Sequence, residues 1–283
     1  MVKAKTVSQI IREVSDELAE VSSSAQLDAE LLFMHAFDWS RTQLFIKNQE
    51  SVEADQLEVF HSLIQRRKQG EPIAYIIGEQ EFWSLPLQVN KDTLIPRPET
   101  EHLVEEALKK IPLDVSWDII DLGAGSGAIA LAVASERKAS HVLAVDLSES
   151  ALAVAENNSK KLNIGNVKFV FSSWFTRVPQ QQFHIVLSNP PYIEESDEHL
   201  SQGDVFFEPR SALVSGTDGL DDIRQISSSA YDYLHPNGWL MFEHGWNQAE
   251  KVQQILKNNG YQQISSINDL ANIPRITIGC KPK

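Results

Sequence analysis

Trp117-Asp118-Ile119-Ile120-Asp121-Leu122-Gly123-Ala124-Gly125-Ser126-Gly127 is the stretch on which the fold turns. Residues 117–122 form a short, largely apolar run that reads as a buried strand, and 128–134 read as the start of a helix. The glycines between them let the backbone turn tightly and approach a ligand closely. The same alternation continues downstream. Strands are predicted at 141–145, 167–171, 183–188 and 239–242, and helices at 148–161, 223–234 and 248–258. Such alternation implies an α/β protein with a mostly parallel, doubly wound sheet. Two closing strands, at 262–267 and 275–280 with no helix between them, predict an antiparallel end.

The glycine spacing is G-x-G-x-G, not the G-x-G-x-x-G/A of dinucleotide-binding turns. A dinucleotide sets its pyrophosphate on the helix N-terminus. A ligand without phosphate needs only the close backbone approach, and S-adenosylmethionine is such a ligand. Asp146 closes the second strand about 20 residues on, where a carboxylate can accept both hydroxyls of a ribose. Asp121 is expected near the cationic amino-acid end of the ligand, and Trp174, after the third strand, beside the adenine.

A second stretch, Asn189-Pro190-Pro191-Tyr192, follows the strand at 183–188. It falls where open α/β sheets place ligands, outside the carboxyl ends of the strands. Pro190 and Pro191 have no N–H and a fixed φ, so the loop is stiff and offers carbonyl oxygens with few competing donors. The Asn189 side chain adds an amide oxygen and Tyr192 a flat face. Two acceptors beside an aromatic plane make a clamp for a planar NH2 group. Residues 193–222 are long for a loop, and a functional role over the substrate is expected.

The chain has 283 residues, 42% hydrophobic and 23% charged, with a net charge of −14. That balance argues against affinity drawn from broad contact with a phosphate backbone. One cysteine, Cys280, excludes an intramolecular disulfide and a cysteine-based metal site, and its apolar surroundings suggest a buried strand thiol. No His-x3-His pair or carboxylate cluster has metal-ligand spacing. His184 and His244 are taken as structural or solvent-facing. The N-terminus, Met1-Val2-Lys3-Ala4-Lys5-Thr6, leads into an amphipathic helix rather than a signal-peptide block. No apolar run reaches membrane-spanning length, so a cytoplasmic protein is expected.

Residues 6–70 read as helices. Val7, Ile10, Ile11, Val14 and Leu18 share one face, and Leu27, Leu31, Leu32 and Met34 mark a second helix. Ser40 to Gln43 suits a capping box, and Leu57, Phe60, Leu63 and Ile64 mark a helix ending in Arg66, Arg67 and Lys68 before Gly70. Those cations suit either helix-end electrostatics or a partner contact. Tyr75-Ile76-Ile77, Glu81-Phe82-Trp83 and Leu87-Gln88-Val89 read as short β pieces of a connector. Pro98 suits a first helical turn.

Taken together, the glycine loop, Ala144-Val145-Asp146 and Asn189-Pro190-Pro191-Tyr192 resemble class I S-adenosylmethionine-dependent methyltransferases of the amino-group type. Gly70-Glu71-Pro72-Ile73-Ala74-Tyr75-Ile76-Ile77-Gly78, Ile95-Pro96-Arg97-Pro98-Glu99-Thr100-Glu101, Glu208-Pro209, Ala212-Leu213 and Asp218-Gly219-Leu220 narrow the resemblance to the HemK/PrmC family. It covers nearly the whole chain. It implies a Rossmann-like domain over 93–283, a β-hairpin connector over 73–92, and a helical bundle over 1–72 that binds the protein substrate. The implied reaction moves a methyl group from S-adenosylmethionine to the N5 amide nitrogen of the glutamine in the Gly-Gly-Gln motif of class I peptide chain release factors. Carried over by position, cofactor contacts are expected at Gly123, Ala124, Gly125, Ser126, Gly127, Asp146, Trp174 and Asn189. The substrate glutamine is expected at Asn189, Pro190, Pro191 and Tyr192, with Asn189 and Pro190 as the catalytic acceptors. One departure is visible: the family often has an acid where Ser173 stands. A monomer with no stable nucleic-acid partner, no membrane contact and no metal is expected.

Three alternatives compete. A glutamine methyltransferase acting on a ribosomal protein would use the same chemistry. A DNA adenine N6-methyltransferase shares the Asn-Pro-Pro-Tyr motif, with Tyr192 stacking on a flipped base, but the acidic charge weighs against it. A dinucleotide-binding oxidoreductase shares the layout of the first strand and its glycines.

Overall fold

A computed structural model describes residues 5–52 and 57–283; of the expected N-terminal leader, residues 1–4 lie outside the described residues. The chain divides into two compact units, Met1–Gly78 with Ser201–Phe207, and Glu79–Leu200 with Glu208–Lys283.

The first unit is helical: α1 (Val7–Leu18), α2 (Ala25–Phe37), α3 (Arg41–Ile46), α4 (Glu58–Lys68) and α5 (Ile73–Ile77). Thr6 with Gln9, and Ser40 with Gln43, form reciprocal capping boxes at the starts of α1 and α3. The α1 face read from the sequence is buried, against Leu32, Phe33, Phe60 and Ile64. The buried face of α2 is Ala29, Leu32 and Phe33, whereas Leu27 is exposed. Tyr75-Ile76-Ile77, read as β, is helical. Pro72 caps α5, Gly78 ends it by donating its N–H to the Ala74 carbonyl, and Ile76 packs into the bundle core. The basic end of α4 is internally neutralised. Arg67 is buried and bonds Asp28 at 2.8 Å and Asp204 at 3.0 Å, Arg66 bonds Glu71 at 2.8 Å, and Lys68 bonds Glu17 at 2.8 Å. Each of the three cations is thus paired with an acid of the same unit.

The second unit opens with a hairpin, β1 (Glu79–Phe82) and β2 (Leu85–Gln88). Trp83, read as strand, instead forms the turn with Ser84, both at positive φ, and its N–H is held by Glu101 at 2.7 Å. A 3-10 turn (Pro98–Thr100) leads into α6 (Glu101–Lys110). Then follow β3 (Asp118–Leu122), α7 (Ala128–Glu136), β4 (His141–Asp146), α8 (Glu149–Lys161), β5 (Val167–Phe171) and β6 (Phe183–Ser188). The chain closes with α9 (Asp221–Tyr233), β7 (Leu234–Glu243), α10 (Ala249–Asn258), β8 (Gln262–Asn268) and β9 (Pro274–Cys280).

The strands form one sheet in the order β5-β4-β3-β6-β7-β9-β8. The first five are parallel, and β9 runs antiparallel to both neighbours. The chain steps outward from β3 to β5 and returns to the other side of β3 at β6. This reversal opens a crevice at the carboxyl ends of β3, β4 and β6. Successive side chains go to opposite, equally covered faces: Ile119, Ile185 and Leu187 join the core on one face, Ile120, Leu122 and Val186 that on the other. Each such side chain, fully removed from water, contributes about 1.5–3 kcal/mol.

Cys280 is buried in β9. His184 stacks on Trp117 and accepts the Asp118 N–H, and His244 is buried against Thr277. No described helix is long and apolar enough to cross a membrane.

Candidate active site

The glycine turn folds over the end of β4. Gly123 and Ala124 both donate their N–H groups to the Val145 carbonyl, at 2.8 and 2.9 Å. Gly123 has φ +78°, and a Cβ there would lie 3.4 Å from the Trp174 ring and 3.9 Å from the Asn189 carbonyl. The positive φ favours glycine at this position, where a Cβ would meet only ordinary contact distances. Asn158, fully buried on α8, fixes the far side of the turn. Its Nδ2 donates to the Ser126 carbonyl and to the Gln88 carbonyl, and its Oδ1 accepts the Gln88 N–H.

Asp146 closes β4. Its Oδ2 accepts the Gly125 N–H and its Oδ1 the Ser148 N–H, both at 2.8 Å. Burial pushes its pKa up and these backbone bonds pull it back. Each oxygen keeps a lone pair for a further donor. Trp174, at φ +46°, is fixed by its Nε1–H to Asp222 at 3.1 Å. Asp222 in turn accepts the Ser215 hydroxyl at 2.7 Å. These groups surround a cavity of about 290 Å³. Its acids are Asp92, Asp146 and Asp222, and no lysine, arginine or histidine among the described residues lines it.

Asn189 leaves the end of β6 at the rim of this cavity. Its Nδ2 donates to the Thr100 hydroxyl at 3.2 Å, and no donor among the described residues reaches its Oδ1. Beyond it, the Tyr192 hydroxyl donates to Glu243 at 3.3 Å, and the Tyr192 carbonyl accepts Gln248 Nε2 at 3.0 Å. Burial raises the Tyr192 pKa further above its already high ordinary value. Gly219, at φ +71°, packs so tightly that a Cβ would lie 2.2 Å from the Tyr192 carbonyl oxygen. Glu208 is fully buried, accepts the Ile95 N–H at 2.8 Å and pairs with Arg97. That bond ties the Ile95-Pro96-Arg97 stretch to Pro209, which lines the cavity with Ser211 and Ala212.

Residues 9–78 match the model of the PrmC N-terminal domain, and residues 100–218 that of the methyltransferase small domain. The chain is 49% identical over 258 residues to the release factor glutamine methyltransferase of Yersinia pestis, covering 91% of this chain and 93% of that one. It is 46% identical over 263 residues to the release factor glutamine methyltransferase of Shewanella oneidensis, covering 93% and 92%. The chain belongs to the release factor glutamine methyltransferase family. Among solved structures, a methyltransferase from Pyrococcus furiosus shares the fold at TM-score 0.55 and 15% identity, over 79% of this chain and 98% of that one.

In this release factor glutamine methyltransferase family member, Gly123, Gly125, Asp146, Trp174 and Asn189 come together around the cavity, with Ser173 beside Trp174. Ala124, Ser126 and Gly127 do not line it. Ala124 packs into the core, Ser126 is buried against Asn158, and Gly127 caps α7. Asp121 is not at the cavity either. It is fully buried, with Oδ2 accepting the Ala130 N–H of α7 and Oδ1 unpartnered among the described residues. Burial pushes its pKa up to about 7. Of the four clamp residues, Asn189 and Pro191 line the cavity, Pro190 is buried, and Tyr192 turns toward Glu243.

Several site residues escaped the sequence reading. Asp222 and Gln225 reach the cavity from α9, and Asp92, Thr93 and Leu94 reach it from the segment before the 3-10 turn. Thr100 and Glu208 belong to stretches that carried the family resemblance, but nothing in their spacing announces that one bonds Asn189 and the other Arg97.

Proposed function

We propose that this methyltransferase binds S-adenosylmethionine in the cavity at the glycine turn and methylates the N5 amide nitrogen of the glutamine in the Gly-Gly-Gln motif of class I release factors. The observation that carries the cofactor reading is the cavity's charge. Three carboxylates and no cation among the described lining residues suit a cationic, phosphate-free ligand and oppose a pyrophosphate. This weighs against the dinucleotide-dependent alternative. Asp146 would hold the ribose hydroxyls with its remaining lone pairs, Trp174 would flank the adenine, and Gly123 and Gly125 would admit the ligand to the backbone.

When bound, S-adenosylmethionine supplies an electrophilic methyl on a sulfonium. The protein's task is to present a poor nucleophile, since an amide lone pair is delocalised into its carbonyl. Asn189 Oδ1 and the Pro190 carbonyl would each accept one N–H of the substrate amide and hold its nitrogen in line with the methyl. As the new C–N bond forms and the S–C bond breaks, positive charge grows on the amide nitrogen. Both acceptors then attract it more strongly than in the ground state. The nitrogen loses one proton to water during or after transfer. Tyr192 would pack against the amide plane. The absence of a Thr100–Oδ1 contact, with Nδ2 spent on Thr100 instead, supports an Asn189 oxygen that faces the substrate.

The test is to incubate the protein with S-adenosylmethionine and a purified class I release factor, then map methylation by mass spectrometry. One methyl on the Gly-Gly-Gln glutamine is expected. No methyl there, or label entering a ribosomal protein or duplex DNA in its place, overturns the reading. Parallel titrations with S-adenosylmethionine and NADH should show binding of the first only.

A further inference from the structure

Gln248 stands at the start of α10 and is 5% exposed. Its side-chain amide lies where three separate stretches of chain meet. Oε1 accepts the Gly245 N–H at 2.8 Å, just past the end of β7. Nε2 donates to the Tyr192 carbonyl at 3.0 Å. The Asp218 and Gly219 carbonyls lie 3.5 and 3.4 Å from the same nitrogen, where its second proton is shared between them in a three-centre bond. Two glycines make room for the amide. A Cβ on Gly219 would lie 2.7 Å from Nε2, and one on Gly245 would lie 3.0 Å from Oε1.

These surroundings fix the sense of the amide. One end meets an N–H and the other meets three carbonyls. Turned over, it would set donor against donor and acceptor against acceptor. A carboxylate would face the carbonyls with no proton to give, and an apolar side chain would leave buried polar groups unpaired. The Tyr192 carbonyl held in this way is the far end of the clamp. At the near end, Asn189 Nδ2 donates to the Thr100 hydroxyl at 3.2 Å. Between these two anchors stand Pro190 and Pro191, both buried, whose rings fix φ. With so few free torsions between them, holding both ends sets the direction of the Pro190 carbonyl.

Resting on the methyltransferase reading above, we infer that Gln248 is a positioning residue: by holding the Tyr192 carbonyl it aims the Pro190 carbonyl at the substrate amide. The same nitrogen reaches the Asp218 and Gly219 carbonyls, so that aim is coupled to the return of the 193–222 segment. Gln248 does not line the cavity, and its influence on the reaction runs through the clamp rather than through the cofactor.

The test measures kcat, release-factor KM, S-adenosylmethionine Kd and melting temperature for the wild type, Gln248→Met, Gln248→Asn, Asn189→Ala and the Asn189→Ala, Gln248→Met double variant. Methionine keeps the length and loses both polar ends. Asparagine keeps the amide but is one methylene short, so it cannot span from Gly245 to Tyr192, and it suits the start of a helix. Both Gln248 variants should lose kcat by about 10- to 100-fold, the cost of a misplaced acceptor. Kd should stay within about twofold of wild type, and KM should change less than kcat. Gln248→Asn should melt close to wild type, which separates lost aim from lost fold. The double variant should lose less than the product of its two single effects, because both residues serve one clamp. If Gln248→Met keeps wild-type kcat, if its loss falls on Kd in place of kcat, or if the two losses multiply, the inference fails. Should Gln248→Met not fold, Gln248→Asn carries the same decision. A wild type that binds S-adenosylmethionine but methylates no release factor overturns the functional reading instead, so the two failures are distinct.

Discussion

Asp146 and Glu243 are both acids at the carboxyl ends of parallel strands in the same sheet, yet their surroundings give them opposite uses. Asp146 is held by two backbone N–H groups and opens onto the cavity. Backbone donors cannot rotate away or reverse, so they favour the carboxylate and leave its outer lone pairs for a ligand. Glu243 accepts one side-chain hydroxyl, that of Tyr192 at 3.3 Å, does not line the cavity, and has an Oε2 that meets no donor among the described residues. A hydroxyl can rotate away, so that acid is held less rigidly than one fixed by the backbone. The comparison teaches that the donors the fold supplies decide whether an acid at a strand end keeps lone pairs open to the cavity or faces the protein interior.

The largest effect should come from the clamp at the rim of the cavity. Asn189→Ala removes one preorganised acceptor and should lower kcat by roughly 100-fold or more with the fold intact. Near-normal turnover in a methyl-transfer assay would remove Asn189 from the mechanism. Asp146→Ala should act on the other side of the comparison. It should weaken S-adenosylmethionine about 10- to 100-fold in calorimetry, the size of a lost charge-assisted hydrogen bond or two, while kcat at saturation changes less. An equal loss in kcat would mean that Asp146 also positions the reacting atoms.

A smaller effect is expected from Gly219→Ala. Its Cβ would stand 2.2 Å from the Tyr192 carbonyl oxygen, so the clamp must shift. We expect kcat to fall about tenfold by misplacement, with S-adenosylmethionine binding retained. Loss of cofactor affinity alone would show that the strain spreads to the glycine turn and spares the clamp.

The smallest effect concerns Asp121, a third strand-end acid. Its folded pKa, raised to about 7, lies above the ordinary value of 3.8. Between those limits the native state keeps a proton that the unfolded chain has lost, so stability is present at low pH and falls as pH rises toward 7. Asp121→Asn removes the titration and keeps an acceptor for the Ala130 N–H. Its melting temperature should exceed that of the wild type at pH 8, and the gap should narrow as pH falls through 7 toward 4. A difference that does not vary with pH would assign Asp121 a purely packing role.

Both motifs of the site were legible as local patterns. The G-x-G-x-G turn and Asn-Pro-Pro-Tyr each sit just after an apolar run, and both lie at strand ends in the folded chain. The near-continuous apolar runs of β3 and β6 were equally plain, because both faces of a central strand are covered. Tyr75-Ile76-Ile77 misled because a short apolar run has no period, and Pro72, Gly78 and the bundle core decided for helix. Trp83 misled because its aromatic ring suits a strand while its backbone turns under the hold of Glu101.

The sequence by itself determined the alternation of strands and helices, the position of the glycine turn and the chemistry offered by the Asn-Pro-Pro-Tyr loop, because each rests on residues adjacent in the chain. Only the tertiary structure decided that β9 inserts between β7 and β8, that Asp222 orients Trp174, that Thr100 bonds Asn189 and that Glu243 bonds Tyr192. Thr100 and Asn189 are 89 residues apart, and Tyr192 and Glu243 are 51 apart. Hydrogen bonds of that separation depend on which strand ends the sheet brings side by side, and strand order is set by packing rather than by any local pattern.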